Sequence, residues 1–343
     1  MRLRTEAWEA ERLAGGATRS TGAGNRDRSE APDPLRTAFQ RDRDRILHSP
    51  SFRRLKHKTQ VFISPDGDHF RTRLTHTLEA AQIARTIARS LALNEDLAEA
   101  ICLGHDLGHT PFGHLGETVL SEMLGRPFHH AAHSVRIVEV LEAKPHGLNL
   151  TLEVRDGIVN SSWNQPQPCT HEAWVVRFAD RIAYLNHDVD DAIASGLLDP
   201  AEIPAEVGAV LGTTSSERIT TLVTDLVVSS DVSRPFGDCR GLAMSDAVFG
   251  VMDRLRDFMF ERVYLCAELR RETERAAALL RTLMQWYLAE PERLPESAGV
   301  EGDPHTQRVA DFIAGMTDRF AVATYESIFV PHAPTGFGGA VPR

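Results

Sequence analysis

The chain has 343 residues, 42% of them hydrophobic and 25% charged, a balance that fits a folded globular protein and excludes a disordered or fibrous one. Its formal net charge of −10 offers no general attraction to polyanions, so nucleic acid is a disfavoured partner and any phosphate site must be a local arginine cluster. No run approaches the roughly 18 uninterrupted apolar residues of a membrane-spanning helix, so no membrane partner is expected.

Residues 1–34 open on a charged stretch without the apolar core of a signal peptide. They continue through GGATRSTGAGNRDRSEAPDP, too poor in apolar side chains to offset chain entropy, and a disordered N-terminal arm is expected. Order is expected from a helix over 35–47, with Leu35, Phe39, Ile46 and Leu47 as core contacts. Ser64-Pro65-Asp66-Gly67 is a strong turn signal, and a small hairpin around it is the only sheet expected. Leu74, Leu78, Ile83, Ile87 and Leu91 predict a helix over 72–91 that carries His76 in its first turns. Asn94 is a good N-cap for a helix running through 97–103 to His105 and Asp106. Further helices are expected over 114–124, 134–141, 150–159 and 171–195, the last stopped by Gly196. Looser helix over 201–228, one long amphipathic stretch over 252–288 and a helix over 307–325 follow, then a flexible tail over 331–343. The fold class is all-α, with a single helical domain over 35–330. Four cysteines without a CxxC pair point to reduced thiols and a cytoplasmic setting.

The chemistry concentrates in LGHDLGHTPFGHLGE, residues 103–117. A lone His-Asp doublet at a helix end is common, since the helix dipole favours histidine there. Here His105 and Asp106 have company: His76 upstream, His109 and His114 just beyond, and Asp180 on the 171–195 helix. Imidazole and carboxylate donors without thiolate suit a borderline divalent metal such as Mn, Fe, Ni, Co or Zn. Four such ligands, His76, His105, Asp106 and Asp180, leave coordination positions open, as catalytic sites do. An ion held that way lowers the pKa of water toward neutrality. Glu117, three residues after His114, can orient that imidazole and raise its basicity, and His129 and His130 add candidate proton donors. Arg53, Arg54, Arg71 and Arg73 carry guanidinium forks that suit phosphate oxygens. Asp180, Tyr184 and Asp188 recur every four residues and share one helix face, where buried carboxylates need partners. Neither GxxxxGK[ST] nor GxGxxG is present, which excludes P-loop and dinucleotide chemistry. Metal-assisted hydrolysis of a phosphate ester or anhydride is the reaction these residues suit.

The order His76, His105-Asp106, Asp180 resembles the H…HD…D signature of the HD-domain metal-dependent phosphohydrolases. RTRLTHTLEAAQIAR, GHDLGHTPFGHLGE, VRFADRIAYLNHDVDDAI and VADFIAGMTDRFA resemble more closely the deoxyguanosine triphosphate triphosphohydrolase family, over about residues 39–329. The resemblance implies an HD-type helical bundle with peripheral helices and a C-terminal helical extension. It implies His76, His105, Asp106 and Asp180 as metal ligands, His114 and Glu117 as a catalytic pair, and His130 as a second catalytic histidine; Mg stands with Mn, Fe, Ni, Co and Zn among the candidate ions. Gln60, Arg73, His109, Arg181, Tyr184 and Asp188 would form the substrate-binding set. In it Arg73 holds phosphate, Gln60 lies at the sugar, Asp188 accepts from the 3′-hydroxyl and Tyr184 crowds the 2′ position. The implied reaction is attack of water at the α-phosphorus of a deoxynucleoside triphosphate, releasing deoxynucleoside and tripolyphosphate, and the family habit is a homo-oligomer. The chain departs from the family pattern at Ala131 and His133, where Asn and Gln are usual, at Ser161, where His is usual, and at Ala173-Trp174. Two alternatives stand beside the leading reading. One is an HD phosphohydrolase for another nucleotide, against which the Tyr184/Asp188 pair weighs. The other is a non-catalytic module that senses nucleotides or binds single-stranded nucleic acid, against which intact His114 and Glu117 weigh.

Overall fold

The computed structural model describes residues 1–22, 26–60, 71–144 and 146–331. Its helices are α1 (Arg2–Arg12), α2 (Ala38–Leu47), α3 (Pro50–Arg54), α4 (Arg73–Ser90), α5 (Glu95–His105), α6 (His114–Leu124), α7 (His130–Arg136), α8 (Leu152–Val159), α9 (His171–Ala194), α10 (Ala205–Val210), α11 (Ser215–Ser229), α12 (Asp246–Met259), α13 (Ala267–Ala289), α14 (His305–Ala314) and α15 (Asp318–Phe329). Helix starts follow local chemistry. The side chains of Thr37, Thr72, Asn94, Thr170, Thr214, Ser245 and Thr317 each accept a hydrogen bond from a first-turn amide, a contact whose loss typically costs about 1 kcal/mol. The described residues contain no strand, only isolated bridges at Thr59–Thr72 and Asp231–Gly241. The expected hairpin turn at Ser64–Gly67 lies outside the described residues, as does the tail from 332 onward.

Two apolar clusters form the interior. In the larger, α4 and α5 pack against α9, bringing Ala80, Ala84, Ile101, Val175, Ala179 and Ile182 together out of water. In the smaller, α13 meets α6, α14 and α15, burying Leu120, Leu280, Met284, Val309, Ile313 and Ala321. The histidine-rich stretch crosses from one to the other, since Leu107 belongs to the first cluster and Phe112 to the second. No described helix is long and apolar enough to cross a membrane.

Several expectations are corrected. The described residues of the expected arm, 1–22 and 26–34, are ordered rather than loose: α1 and the segment after it are strapped to the bundle by polar contacts that composition does not register. Glu9 accepts from the amide and hydroxyl of Ser20 at 2.7 Å each, and Glu172 accepts from the amide and hydroxyl of Thr18 at 2.9 Å each. Arg26 pairs with the buried Asp42. At Gly15 and Gly16 the backbone lies so close to Ser233 and Arg234 that a Cβ would sit 2.3 and 2.2 Å from their carbonyl oxygens. Leu35 and Leu47, expected as core contacts, are exposed, Leu35 because α2 begins only at Ala38. The 252–288 stretch is two helices, parted by a wider π turn at Phe260–Tyr264. The 307–325 helix is likewise two, parted at Gly315–Thr317, and 201–228 divides into α10 and α11.

Candidate functional site

Three elements bring the expected metal-ligand set together. His76 stands in the first turns of α4, His105 ends α5, Asp106 is the C-cap of α5, and Asp180 lies midway along α9. His76 Nε2 is 3.0 Å from Asp180 Oδ1. His105 Nε2 is 3.2 Å from Asp106 Oδ1 and 3.5 Å from Asp180 Oδ1. The Nδ1 of His105 lies 2.6 Å from the Cys102 carbonyl oxygen, so Nδ1 carries a proton and Nε2 is the nitrogen turned to the cluster. That Nε2 is buried and has no hydrogen-bond partner. Ligand atoms of His76, His105 and Asp106 all lie within 4.8 Å of one another. An unpartnered imidazole nitrogen facing two carboxylates is what a divalent cation satisfies, so the donor set fits a borderline metal. Burial opposes ionisation of Asp106 and Asp180, but the neighbouring histidines, joined at Asp106 by Arg73, outweigh it and hold both carboxyls below the usual range.

A second cluster centres on Glu117. Its Oε1 is 3.0 Å from His114 Nδ1, 2.9 Å from His130 Nδ1 and 3.3 Å from His109 Nδ1. Burial pushes the Glu117 carboxyl up, yet hydrogen bonding to His109, His114 and His130 drives it far below the carboxylate range. His109 joins the clusters, because its other nitrogen lies 3.1 Å from Asp106 Oδ1. Burial and the Arg73 guanidinium push the His109 imidazolium down to about 3, so it is neutral near pH 7. His130 stacks on His109 at 3.9 Å between ring centroids. His114 differs from its neighbours: its side chain is 78% exposed. The turn between His109 and His114 is shaped by Phe112 and Gly113 at φ 59° and 61°, with the Thr110 hydroxyl donating to the Gly113 carbonyl at 2.7 Å. Glycine is required at 113, where a Cβ would stand 2.9 Å from Arg73 Nη2.

The expected substrate residues divide. Arg73 is buried and donates to Asp106 Oδ2 at 2.9 Å. Its Nη2 lies 3.5 Å from the backbone oxygen of Gln60, whose own Oε1 is buried without a partner. Arg181 pairs with Asp253 and lies 5.1 Å above the Trp163 ring and 5.3 Å above that of Phe249. Tyr184 and Asp188 follow Asp180 along α9, and Asp188 accepts the Tyr264 hydroxyl. Burial pushes the Asp188 carboxyl up to about 7 and the Tyr184 phenol up to about 12. Of the other arginines, Arg71 is engaged by Glu79, Asp190 and Asp191. Arg53 donates to the carbonyl of His48, and Arg54 to the hydroxyl of Ser51. Neither is joined to the clusters. His129 stacks on His130 at 4.5 Å.

Sequence reasoning missed several neighbours of the site. Tyr264 is one, reaching Asp188 from the π turn. Ser162 is another, its Oγ 3.3 Å from His130 Nε2. Lys58 is buried with its ammonium on the carbonyls of His109 and Ala314. A faint signal existed for Lys58, one of only three lysines in an arginine-rich chain. Tyr264 and Ser162 sit in no local motif.

Comparisons with known proteins agree with this arrangement. The HD-domain family profile matches residues 73–185, and that of the phosphohydrolase-associated domain matches 242–327. The chain is 49% identical to a deoxyguanosinetriphosphate triphosphohydrolase-like protein of Caldanaerobacter subterraneus subsp. tengcongensis, over 95% of both chains. A protein of the same description from Desulfatibacillum aliphaticivorans is 47% identical, over 96% of this chain and 98% of the other. Another from Clostridium tetani is 44% identical, over 96% and 97%.

Proposed function

The chain belongs to the deoxyguanosinetriphosphate triphosphohydrolase-like family of HD-domain phosphohydrolases, and from that premise we propose that it hydrolyses deoxynucleoside triphosphates to deoxynucleoside and tripolyphosphate. The observation that carries the reading is His109, whose two nitrogens lie 3.1 Å from Asp106 and 3.3 Å from Glu117. It couples a metal-type donor cluster to an acid–base cluster within a single site. His76, His105, Asp106 and Asp180 are assigned to the metal. Bound there, a divalent ion would polarise phosphate oxygen and lower the pKa of water. Glu117 fixes the Nδ1 side of His114 and leaves Nε2 of that exposed ring turned to the substrate for proton transfer. His130, held by the same carboxylate, is assigned to the phosphates beside His109 and Arg73. Tyr184 and Asp188 lie one and two helical turns beyond Asp180, the distance at which a sugar would follow its phosphate. Gln60 and Arg181 complete the substrate set, and a homo-oligomer is expected from the family.

The test is incubation with each deoxynucleoside triphosphate, and with GTP, in Mn²⁺ or Mg²⁺, assaying tripolyphosphate. Rapid release from deoxynucleotides with poor release from GTP is expected, with Tyr184→Ala narrowing the gap. Equal rates on dGTP and GTP would contradict the sugar assignment. Phosphate or pyrophosphate as the product would favour action on another bond, and no turnover of any nucleotide would favour a sensing module.

A further inference from the structure

Outside the two histidine clusters, the turn between α14 and α15 sends one charged side chain into the site and receives another from it. Asp318, the first residue of α15, is buried. Its Oδ1 accepts the amide of Phe112 at 2.9 Å, and its Oδ2 accepts the amide of Thr59 at 2.7 Å. Lys58 runs the other way. Its ammonium donates to the carbonyl of His109 and, at 2.9 Å, to that of Ala314. Both ends of the short turn from His109 to Phe112 are therefore fixed by buried side-chain hydrogen bonds, and the one to the Asp318 carboxylate is charge-assisted and so stronger than a neutral one. Phe112 holds a left-handed φ of 59° that a non-glycine residue adopts only when its surroundings impose it. The same carboxylate pins Thr59 beside Gln60, and Thr59 pairs with Thr72 at the start of the His76 helix.

We infer that Lys58 and Asp318 are positioning residues, a reciprocal latch through which the C-terminal helices set the orientation of His109 and His114. The inference rests on the proposed hydrolysis for its kinetic consequence but not for its structural one. Neither side chain has to touch substrate. Each acts by holding the backbone from which the imidazoles project, where a displacement of about 1 Å can cost on the order of 100-fold in rate.

The experiment compares the native protein with Asp318→Asn, Asp318→Glu and Lys58→Met by hydrogen exchange, metal content and kinetics on dGTP with Mn²⁺. Asparagine turns one acceptor into a donor that faces an amide N–H. Expected for Asp318→Asn and Lys58→Met is faster exchange confined to the segments around 59 and 109–114. With it should come a kcat lower by about 10- to 100-fold, KM within a few-fold and undiminished metal. Asp318→Glu, which keeps both oxygens, should recover much of the rate. Exchange that rises uniformly along the chain, or unchanged local exchange, would overturn the latch. Loss of rate confined to KM or to metal content would do so too. If the variants do not fold, the native protein decides: the amides of Thr59 and Phe112 must exchange slowly although both lie outside helices. A native protein inactive on every nucleotide would count against the proposed reaction and leave the exchange result to judge the latch.

Discussion

Glu117 serves three imidazoles with one carboxylate oxygen. Held so far below the usual carboxylate range, it stays ionised across the working pH, so the pH profile of turnover should come from the histidines. Glu117→Gln and His114→Ala are each expected to keep metal and fold while losing about 10²–10⁴-fold in rate. The double variant should be little worse than His114→Ala, because groups acting as a unit are not additive. Initial rates with elemental analysis check this, and a Glu117→Gln rate within a few-fold of native would dissolve the pair. Asp106→Ala should instead lose metal and turnover together. His133, where the family usually has glutamine, carries a pH prediction. Burial, then Lys58 and Arg136, push its imidazolium down to about 3. The unfolded chain takes up that proton near pH 6.5 and the folded one does not. Stability is therefore complete above 6.5 and falls as pH drops toward 3, by up to about 1.4 kcal/mol per pH unit from this group. His133→Gln should flatten that decline in urea titrations, and identical native and variant slopes would contradict it. Most of the site's titratable groups were legible in the sequence because one fifteen-residue stretch and α9 carry them. Lys58 and Tyr264 were not, since their partners lie 51 and 76 residues away and neither sits in a pattern.

Helix starts were readable because a cap is local: Thr72 and Asn94 stand beside the amides they satisfy. Helix breaks were not. The apolar period runs on through Phe260–Tyr264 and past Gly315, so packing rather than local pattern ends α12 and α14 there. The junction of α5 with α7 offers a test at this scale. Ser134 accepts the Gly108 amide and donates to the His105 carbonyl, both at 2.8 Å. A Cβ on Gly108 would fall 2.2 Å from the His130 carbonyl oxygen and 2.3 Å from the Ser134 nitrogen. Those are backbone atoms that cannot rotate aside. Gly108→Ala is therefore expected to cost about 1–3 kcal/mol and, by displacing α7, to part His130 from Glu117 and lower turnover. Gly157→Ala meets only the Ile101 side chain, 2.4 Å away at its Cδ1, and should be milder. Equal melting temperatures for the two variants would refute the comparison.

Across the whole molecule, the site lies at the seam of two apolar clusters, and the N-terminal segment is a strap rather than a loose arm. Composition could not reveal this, because buried carboxylates and close glycine backbone hold the strap alongside only a few apolar contacts, at Leu13, Ala14 and Ala17. Removing residues 1–34 would leave Glu172 without Thr18 and Asp42 without Arg26. Each buried acid left short of partners costs about 1–3 kcal/mol. The truncated protein is expected to melt well below the native one, whereas an unchanged melting temperature would restore the picture of a disordered arm. The strap also imposes an order on synthesis. Gly16 donates its amide to the carbonyl of Val232 at 3.1 Å, so this contact of the strap must wait for a segment made more than two hundred residues later. At translation rates of about 5–20 residues per second that wait is roughly ten to forty seconds. Throughout it the strap has only its earlier partners, such as the Ala92 carbonyl that accepts the Ala14 amide at 2.8 Å. A nascent chain stalled before residue 232 should therefore leave the backbone around Gly16 more open to proteases than the complete fold does, and equal cleavage there in the two would contradict it.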